Sequence, residues 1–322
     1  IPHKDRNTAY RIAAEAAKDT NLIVISGSEI TRENPIGHMN AIFIEDSNKL
    51  MSLDESKIVE AAKLVEERKD EVAVHGGMDM ANHLALASLW PVANAVNKAN
   101  EQGGFVFWNH PTYKVNNGIA SLSKEHIEFI KNGTLHGIEV VNENIFSEEA
   151  FAIALDYNLT IIGTSDVHNL IDWDYPSHQN QHRPVTLILA EEKTKPAMKA
   201  ALMNGRTIVW YKNLLIGREN NIQPLLNAMM RIDSARYQDN SEILEVTIQN
   251  NSDTKIQMTN LSDYSFASNH DIIEIPAQSE IQLDVKTKEQ LSSISLEFKI
   301  LSALVRPKIH PTLILRSTIA SD

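Results

Sequence analysis

Short apolar runs in this chain lead into residues that commonly bind metal ions. The runs occupy residues 22–26, 105–108 and 159–163. Continuous apolar runs of this length predict strands buried on both faces, and α/β barrels and open α/β sheets place their chemistry at the carboxyl ends of such strands. One further candidate stands just before a fourth apolar stretch, residues 39–44. The candidate metal ligands are Glu29, His38, His110, Asp166 and His168.

The mixture of imidazole and carboxylate groups indicates which metals could bind. These groups suit zinc, iron or manganese, and the absence of cysteine excludes a thiolate-rich structural zinc site from this chain. Carboxylates on separate strands can bridge two ions, which create a hydroxide at neutral pH while screening a phosphoryl oxygen. A lone histidine at a strand end is more often a hydrogen-bonded structural residue. Five such residues in one recurring pattern favour a catalytic, hydrolytic metal site.

Four ordered motifs resemble the PHP phosphoesterases, the family named for polymerase and histidinol phosphatase. They are Gly27-Ser28-Glu29-Ile30-Thr31-Arg32, Gly37-His38-Met39-Asn40-Ala41, Trp108-Asn109-His110-Pro111 and Gly163-Thr164-Ser165-Asp166-Val167-His168. The resemblance covers roughly residues 1–217. It implies a distorted (β/α)7 TIM-like barrel that holds two to three divalent ions (Zn, Mn or Fe) at the carboxyl ends of its strands.

The same resemblance implies roles for the five candidate ligands. Glu29 would bridge two ions, His38 and His110 would bind one of them, and Asp166 and His168 would serve the others. Glu29, Asp166 and His168 are therefore the expected catalytic residues as well as metal ligands.

One departure from the family pattern is large. The family's barrel begins with a strand that ends in His-x-His and has a further His after its second strand, and neither appears here. The chain opens at Ile1-Pro2-His3 without an initiator Met, directly before a helical pattern. We therefore interpret it as lacking the start of the barrel, on the order of 50–60 residues for ordinary βα units. The remaining close histidine pair, His178 and His182, predicts a solvated or substrate-facing loop.

Two arginines are candidates for binding substrate oxygens. Arg32 follows Glu29 by three residues and Arg183 stands just before a predicted strand. The guanidinium group of arginine can form a bidentate pair of hydrogen bonds with phosphate. At each position the equal alternative is an arginine on the surface or in a salt bridge. Glu139 is expected in buried polar pairing rather than metal binding. Trp173 and Tyr175 could wall the substrate pocket.

Helix and strand patterns alternate over the first two-thirds of the 322 residues and then change. The alternation over residues 1–217 predicts βαβ units and a parallel sheet. Residues 218–235 are expected to hold a connecting helix, with its apolar face over 221–232. Strict apolar and polar alternation from about residue 244 predicts antiparallel strands, so residues 236–322 are expected to form a small β-sandwich.

Individual elements follow from the same patterns. Residues 52–102 form a segment longer than a single strand-to-strand crossover needs, so we expect an insertion near the mouth of the barrel. This segment contains His75 and His83. Helices are expected at residues 6–19, 52–69, 80–100, 124–131 and 194–204, and strands at 22–26, 39–44, 105–108, 137–141, 160–163, 185–189, 207–210, 244–248, 281–285 and 295–300.

Net charge and hydropathy indicate which kinds of partner the protein binds. A net charge of -12 and the lack of a basic stripe argue against nucleic acid, and no apolar run reaches the ~20 residues of a membrane helix. The expected partner is a small phosphate ester, with homo-oligomerisation left open. An appended β-sandwich is common in exported bacterial enzymes, and this analogy favours a periplasmic or secreted location.

The predicted function is a phosphoesterase that cleaves small phosphate mono- or diesters with a metal-bridged hydroxide. Two alternatives stay open at this point. One is a nuclease or exonuclease on the same fold, which the acidic charge disfavours. The other is a catalytically incomplete binding protein, which the missing His-x-His motif suggests.

Overall fold

The computed structural model describes residues 5–67, 85–115, 117–176, 182–239 and 241–320. The chain divides into two compact units, one of Ile1–Ile162 with Ile188–Arg206, the other of Gly163–Leu187 with Thr207–Asp322. The helices are α1 (Thr8–Ala16), α2 (Glu55–Glu67), α3 (Val92–Glu101), α4 (Lys124–Lys131), α5 (Glu148–Asp156), α6 (Ile171–Asp174), α7 (Lys195–Met203) and α8 (Glu219–Met229), with a 3-10 helix at Ser47–Leu50.

Both units contain β-strands. They are β1 (Gly27–Ile30), β2 (Met39–Ile42), β3 (Phe105–Trp108), β4 (Gly137–Asn142), β5 (Ile145–Phe146), β6 (Thr160–Thr164), β7 (Val185–Ile188), β8 (Thr207–Tyr211), β9 (Leu214–Gly217), β10 (Met230–Tyr237), β11 (Ile243–Asn250), β12 (Ile256–Asn260), β13 (Ser265–Phe266), β14 (Ile272–Ile275), β15 (Ser279–Lys286), β16 (Ser293–Ile300), β17 (Ala303–Leu304) and β18 (Thr312–Thr318).

The first unit is built on a six-stranded mixed sheet in the order β1-β2-β3-β4-β5, with β6 paired to β4. β2 runs antiparallel to both β1 and β3, whereas β3 and β4 are parallel. Every residue of β3 is buried, as its continuous apolar run predicts. Phe105, Phe107, Ile162 and Leu202 form a buried cluster on this sheet. The α/β character is thus confirmed for the N-terminal part, while the closed barrel stays a prediction.

The first predicted strand is displaced in the structure. Residues 22–26 are irregular, Leu22 is exposed, and the ladder with β2 begins only at Gly27, which pairs with Ile42. Phe43 follows β2 with a positive φ of 60°, and its backbone N–H donates to Ser26 O (2.8 Å), so a single bond continues the pairing past Gly27. Glu29 therefore lies within a strand and not after one.

Two helix predictions also need correction. Within the described part of residues 80–100, the helix is interrupted before α3, where Pro91 takes an extended conformation (ψ 136°) at the N-cap. The connecting helix ends at Met229, because Met230 is extended and pairs with Asn250 as the first residue of β10. The helices predicted at 124–131 and 194–204 are confirmed as α4 and α7.

The second unit contains a four-stranded sheet, β17-β9-β8-β7, and two four-stranded antiparallel sheets, β10-β11-β15-β13 and β14-β12-β16-β18. Buried and less buried residues alternate along β11 and β16, so each strand turns one face to the core. The predicted antiparallel β domain at the C-terminus is confirmed. Among the described residues, no helix combines the length and the apolarity needed to cross a membrane.

The boundary between the two units falls within β6, and Gly163, on the side of the second unit, leaves room for the side chain of Val209. A Cβ atom added there would lie 2.4 Å from Val209 Cγ1 and 3.3 Å from Val209 Cβ. We predict that Gly163→Ala lowers the free energy of unfolding by about 1–3 kcal/mol through overpacking. In urea denaturation, Gly163→Ala combined with Val209→Ala should lose less than the sum of the two single changes, because the clashing methyl groups are gone. Additive losses would contradict the steric account.

His126 caps α4 in an unusual way. Ser123 Oγ accepts a hydrogen bond from the His126 backbone N–H (3.3 Å), while His126 Nδ1 accepts from the Ser123 backbone N–H (3.1 Å). An imidazole that accepts at Nδ1 must be neutral. The ring is fully buried with its centroid 4.1 Å from that of Trp108, and this burial lowers the pKa of His126 to about 4.

The lowered pKa of His126 makes stability depend on pH. In the unfolded chain His126 takes up a proton near pH 6.5, whereas in the folded protein it stays neutral down to about pH 4. The neutral imidazole therefore contributes fully to the free energy of unfolding above pH 6.5. Up to about 3 kcal/mol of that free energy is lost as the pH falls toward 4. We predict that His126→Gln, which keeps a capping-box side chain, reduces the pH dependence of the unfolding free energy between pH 6.5 and 5 in chelator-treated protein. Identical pH slopes in the two proteins would contradict this role.

Candidate metal centre

Strand direction places three candidate ligands at one edge of the sheet in the first unit. Glu29 lies near the carboxyl end of β1, His110 follows the carboxyl end of β3, and His38 immediately precedes β2. β2 lies between β1 and β3 and is antiparallel to both, so its amino end meets their carboxyl ends. A backbone hydrogen bond from Asn109 N–H to His38 O (3.2 Å) continues the β2–β3 pairing up to the site.

The Glu29 carboxylate is held in place by short polar contacts. Thr31 Oγ1 donates a hydrogen bond to Oε1 (2.6 Å), and Asn109 Nδ2 donates one to Oε2 (3.3 Å). Burial of the carboxyl opposes its ionisation, but the neighbouring His38 and Thr31 groups outweigh burial and, with His110, lower the pKa of Glu29 to about 2. Glu29 is therefore an anion at neutral pH.

The three side chains converge closely enough to share one ion. One ligand atom from each of Glu29, His38 and His110 lies within 4.8 Å of the others, and the two imidazole centroids are 4.8 Å apart. His38 Nδ1 lies 3.0 Å from Glu29 Oε1, without the alignment of a hydrogen bond, so Nδ1 is buried with no hydrogen-bond partner.

This geometry fits a divalent cation. Two donors bound to one ion at 2.0–2.2 Å lie about 3–3.5 Å apart, close to the His38–Glu29 separation. A buried ring nitrogen without a hydrogen-bond partner is also the group that a bound ion would satisfy. Two imidazoles and one carboxylate form a ligand set used for zinc, iron and manganese.

A tyrosine packs against both histidines. The Tyr113 ring centroid is 5.0 Å from that of His110 and 5.8 Å from that of His38, and the side chain is about half exposed. Asn34 Nδ2 donates to the carbonyl oxygens of Tyr113 and Lys114 (both 3.1 Å), which ties this turn to the loop after β1. The Tyr113 ring therefore packs against both imidazoles.

Asp166 and His168 lie in the second unit, in the loop that follows β6. Asp166 has a positive φ of 48°, which is uncommon outside glycine. His168 Nδ1 is 2.7 Å from Asp166 O. A carbonyl only accepts, so Nδ1 carries the proton and Nε2 is left able to bind a metal. Both residues stay predicted ligands.

The two predicted substrate-binding arginines differ in their surroundings. Arg32 is buried, and its guanidinium donates to Thr31 O (2.7 Å) and Trp90 O (3.0 Å), while Nε is buried without a partner. Burial lowers the pKa of Arg32. Arg183 is exposed. The substrate-binding role of both arginines stays a prediction.

The remaining residues singled out by the sequence either lie in the second unit or fall outside the described part of the chain. Trp173 is 72% exposed whereas Tyr175 is only 9% exposed. The His182 ring packs against Trp210 with a centroid distance of 4.1 Å and an interplanar angle of 35°, and its Nε2 lies 2.9 Å from Lys212 O. Residues 75, 83 and 178, all histidines, lie outside the described residues.

Several residues that shape the site were not assigned a role from sequence. Thr31 and Asn109 stand inside the recognised motifs, two residues after Glu29 and one before His110, and their position beside a ligand was the available signal. Tyr113 had no such signal. Glu139 is fully buried and accepts hydrogen bonds from His110 N–H (2.7 Å) and Asn142 Nδ2 (3.1 Å), which confirms its predicted polar pairing.

Comparison with known proteins covers both parts of the chain. Residues 230–316 match the family model of an Ig-like domain. A solved structure from Bacteroides vulgatus ATCC 8482, a two-domain protein containing a predicted PHP-like metal-dependent phosphoesterase, is 27% identical with a TM-score of 0.77. That match covers 98% of this chain and 80% of the other.

A second solved structure is much more distant. It comes from Bifidobacterium adolescentis ATCC 15703, and its assignment as a metal-dependent phosphoesterase is itself a prediction. It is 18% identical with a TM-score of 0.32, and the match covers 50% of this chain and 73% of that one, so it carries no argument. None of the curated proteins matches the sequence.

These findings agree with the four motifs recognised in the sequence. The likeness to the Bacteroides vulgatus protein spans the α/β part and the β domain together. The chain is therefore a two-domain protein with an α/β N-terminal part that resembles the PHP-like metal-dependent phosphoesterases and a C-terminal Ig-like domain.

Proposed function

We propose that this protein is a metal-dependent phosphoesterase that hydrolyses small phosphate mono- or diesters. The observation that carries the proposal is the convergence of Glu29, His38 and His110 on one edge of the sheet. The similarity to a protein containing a predicted phosphoesterase of this kind supports the same reaction class.

The chain's own residues prepare the site for a cation. Glu29 is ionised at neutral pH, since its pKa is lowered to about 2, and it brings a negative charge to within 4.8 Å of a ring nitrogen of each histidine. Thr31 and Asn109 orient its two oxygens, which reduces the reorganisation needed when an ion binds. When bound, divalent ions would supply Lewis acidity toward phosphoryl oxygens and a nucleophilic water at neutral pH.

The finer assignments are part of the proposal. Asp166 and His168 would supply further ligands, giving two to three ions of zinc, manganese or iron, and the N-terminal part would adopt the family's distorted barrel. Arg32 and Arg183 would donate to phosphate oxygens. A periplasmic location and a small-molecule substrate rest on sequence analogy and on the net charge of -12.

Hydrolysis of chromogenic esters tests the reaction class. We predict that the purified protein with added Mn²⁺ or Zn²⁺ releases p-nitrophenol from p-nitrophenyl phosphate or its bis ester, and that a chelator abolishes the release. The preferred ester separates a monoesterase from a diesterase. Metal binding without hydrolysis of either ester would contradict the proposal and favour a binding protein.

Substitution of a ligand tests the site. We predict that His110→Ala lowers metal content measured by elemental analysis and lowers turnover by several orders of magnitude, because a metal ligand is lost. His270→Ala is the matched control, since His270 is an exposed histidine of the Ig-like domain. Equal metal content and turnover in the two variants would rule out His110 as a ligand.

Asp166→Asn tests the second predicted ligand pair. The change keeps the size of the side chain and removes its charge, so we predict a large loss of turnover and a lower metal content with little change in folding. The measurement is metal content and ester hydrolysis, with circular dichroism as the folding control. Wild-type activity in Asp166→Asn would remove Asp166 from the proposed ligand set.

A further inference from the structure

We propose that Glu139 is a positioning residue for the metal centre, acting through the backbone of His110. This inference rests on the proposed function, since it concerns the same site. Glu139 lies on β4, which is next to β3 in the sheet, and its side chain is within hydrogen-bond distance of the residue that follows β3 by two positions. It accepts a hydrogen bond from the backbone N–H of His110 at 2.7 Å.

The backbone of His110 is in a conformation that needs support. Its φ is 31°, in the left-handed region that residues with a Cβ rarely adopt. Such conformations persist when surrounding contacts fix them, and they are frequent at functional sites. The direction of the imidazole depends on this conformation, because φ sets where the Cβ atom points.

Both polar groups of the His110 backbone are bound. The N–H donates to Glu139 Oε2 at 2.7 Å, and the carbonyl oxygen accepts from Tyr113 N–H at 2.8 Å. The first of these bonds is short, and its acceptor is a fully buried side-chain oxygen. Glu139 and Tyr113 together hold the peptide in the orientation that directs His110 toward Glu29 and His38.

The Glu139 carboxylate is itself held in position. It is 1% exposed, and Asn142 Nδ2, three residues along the same strand, donates to the same oxygen at 3.1 Å. A buried acceptor on a central strand has little freedom to follow a displaced His110. The pair of contacts therefore ties the position of a proposed ligand to the strand next to its own.

Metal affinity separates positioning from a merely structural role. We predict that Glu139→Met, which removes the acceptor and keeps the length of the side chain, weakens Co²⁺ binding 10–100-fold and alters the visible absorption of the bound Co²⁺. Glu139→Gln keeps an acceptor oxygen at the same distance and should bind Co²⁺ with an affinity close to that of the wild type. Val141→Ala is the matched control, because it perturbs the buried core of β4 without touching His110 N–H.

A fourth variant keeps the test decisive if Glu139→Met does not fold. Glu139→Asp retains the carboxyl group but draws it back by one methylene, so it should bind Co²⁺ more weakly than Glu139→Gln. The reverse order, with Glu139→Asp near wild type and Glu139→Gln impaired, would show that charge and not acceptor position matters, and would overturn the proposal. A loss in Glu139→Met no larger than that in Val141→Ala would also overturn it.

The outcome for His110 distinguishes this proposal from the proposed function. If the wild type binds Co²⁺, His110→Ala binds it weakly and Glu139→Met binds it normally, only the role of Glu139 fails. If His110→Ala binds Co²⁺ as well as the wild type does, both the proposed ligand set and the positioning role fail.

Discussion

The antiparallel placement of β2 between β1 and β3 is the constraint on which the candidate metal centre depends. Glu29 is near the carboxyl end of one outer strand, His110 follows the carboxyl end of the other, and His38 precedes the strand between them. In a parallel arrangement His38 would lie at the opposite edge of the sheet. The pairing register therefore decides whether two imidazoles and a carboxylate can meet, and the backbone bond from Asn109 to His38 extends that register to the site.

The same region shows how local strain and charge are offset by hydrogen bonds. A positive φ at His110 is supported by bonds to both of its backbone polar groups, and the Glu29 carboxylate is oriented by a hydroxyl and an amide. Gly37, with a φ of 66°, allows the turn that leads into His38. These contacts hold an anionic group close to two histidines, an arrangement that fits a divalent ion.

Sequence reasoning named the three residues that converge here, but it predicted a parallel sheet, whereas β2 is antiparallel to both of its neighbours. Apolar runs predicted β3 and β6 correctly because both are buried on all sides, where periodicity and composition agree. The prediction failed at residues 22–26, because an apolar run does not reveal at which residue strand pairing begins, and here the ladder with β2 begins at Gly27. Sequence reasoning could not predict the packing of Tyr113 on the two histidines or the hydrogen bond between Glu139 and His110, because these contacts join separate segments of the chain. Alternation did predict the C-terminal β domain, because there each strand has one buried and one wetter face.

Anomalous X-ray diffraction from crystals grown with Mn²⁺ tests the central claim most directly, because it places the ion without reference to activity. The account predicts a manganese peak within bonding distance of Glu29, His38 and His110. Well-ordered crystals in which these three side chains are resolved, Mn²⁺ is present at millimolar concentration and no peak lies between them would contradict it.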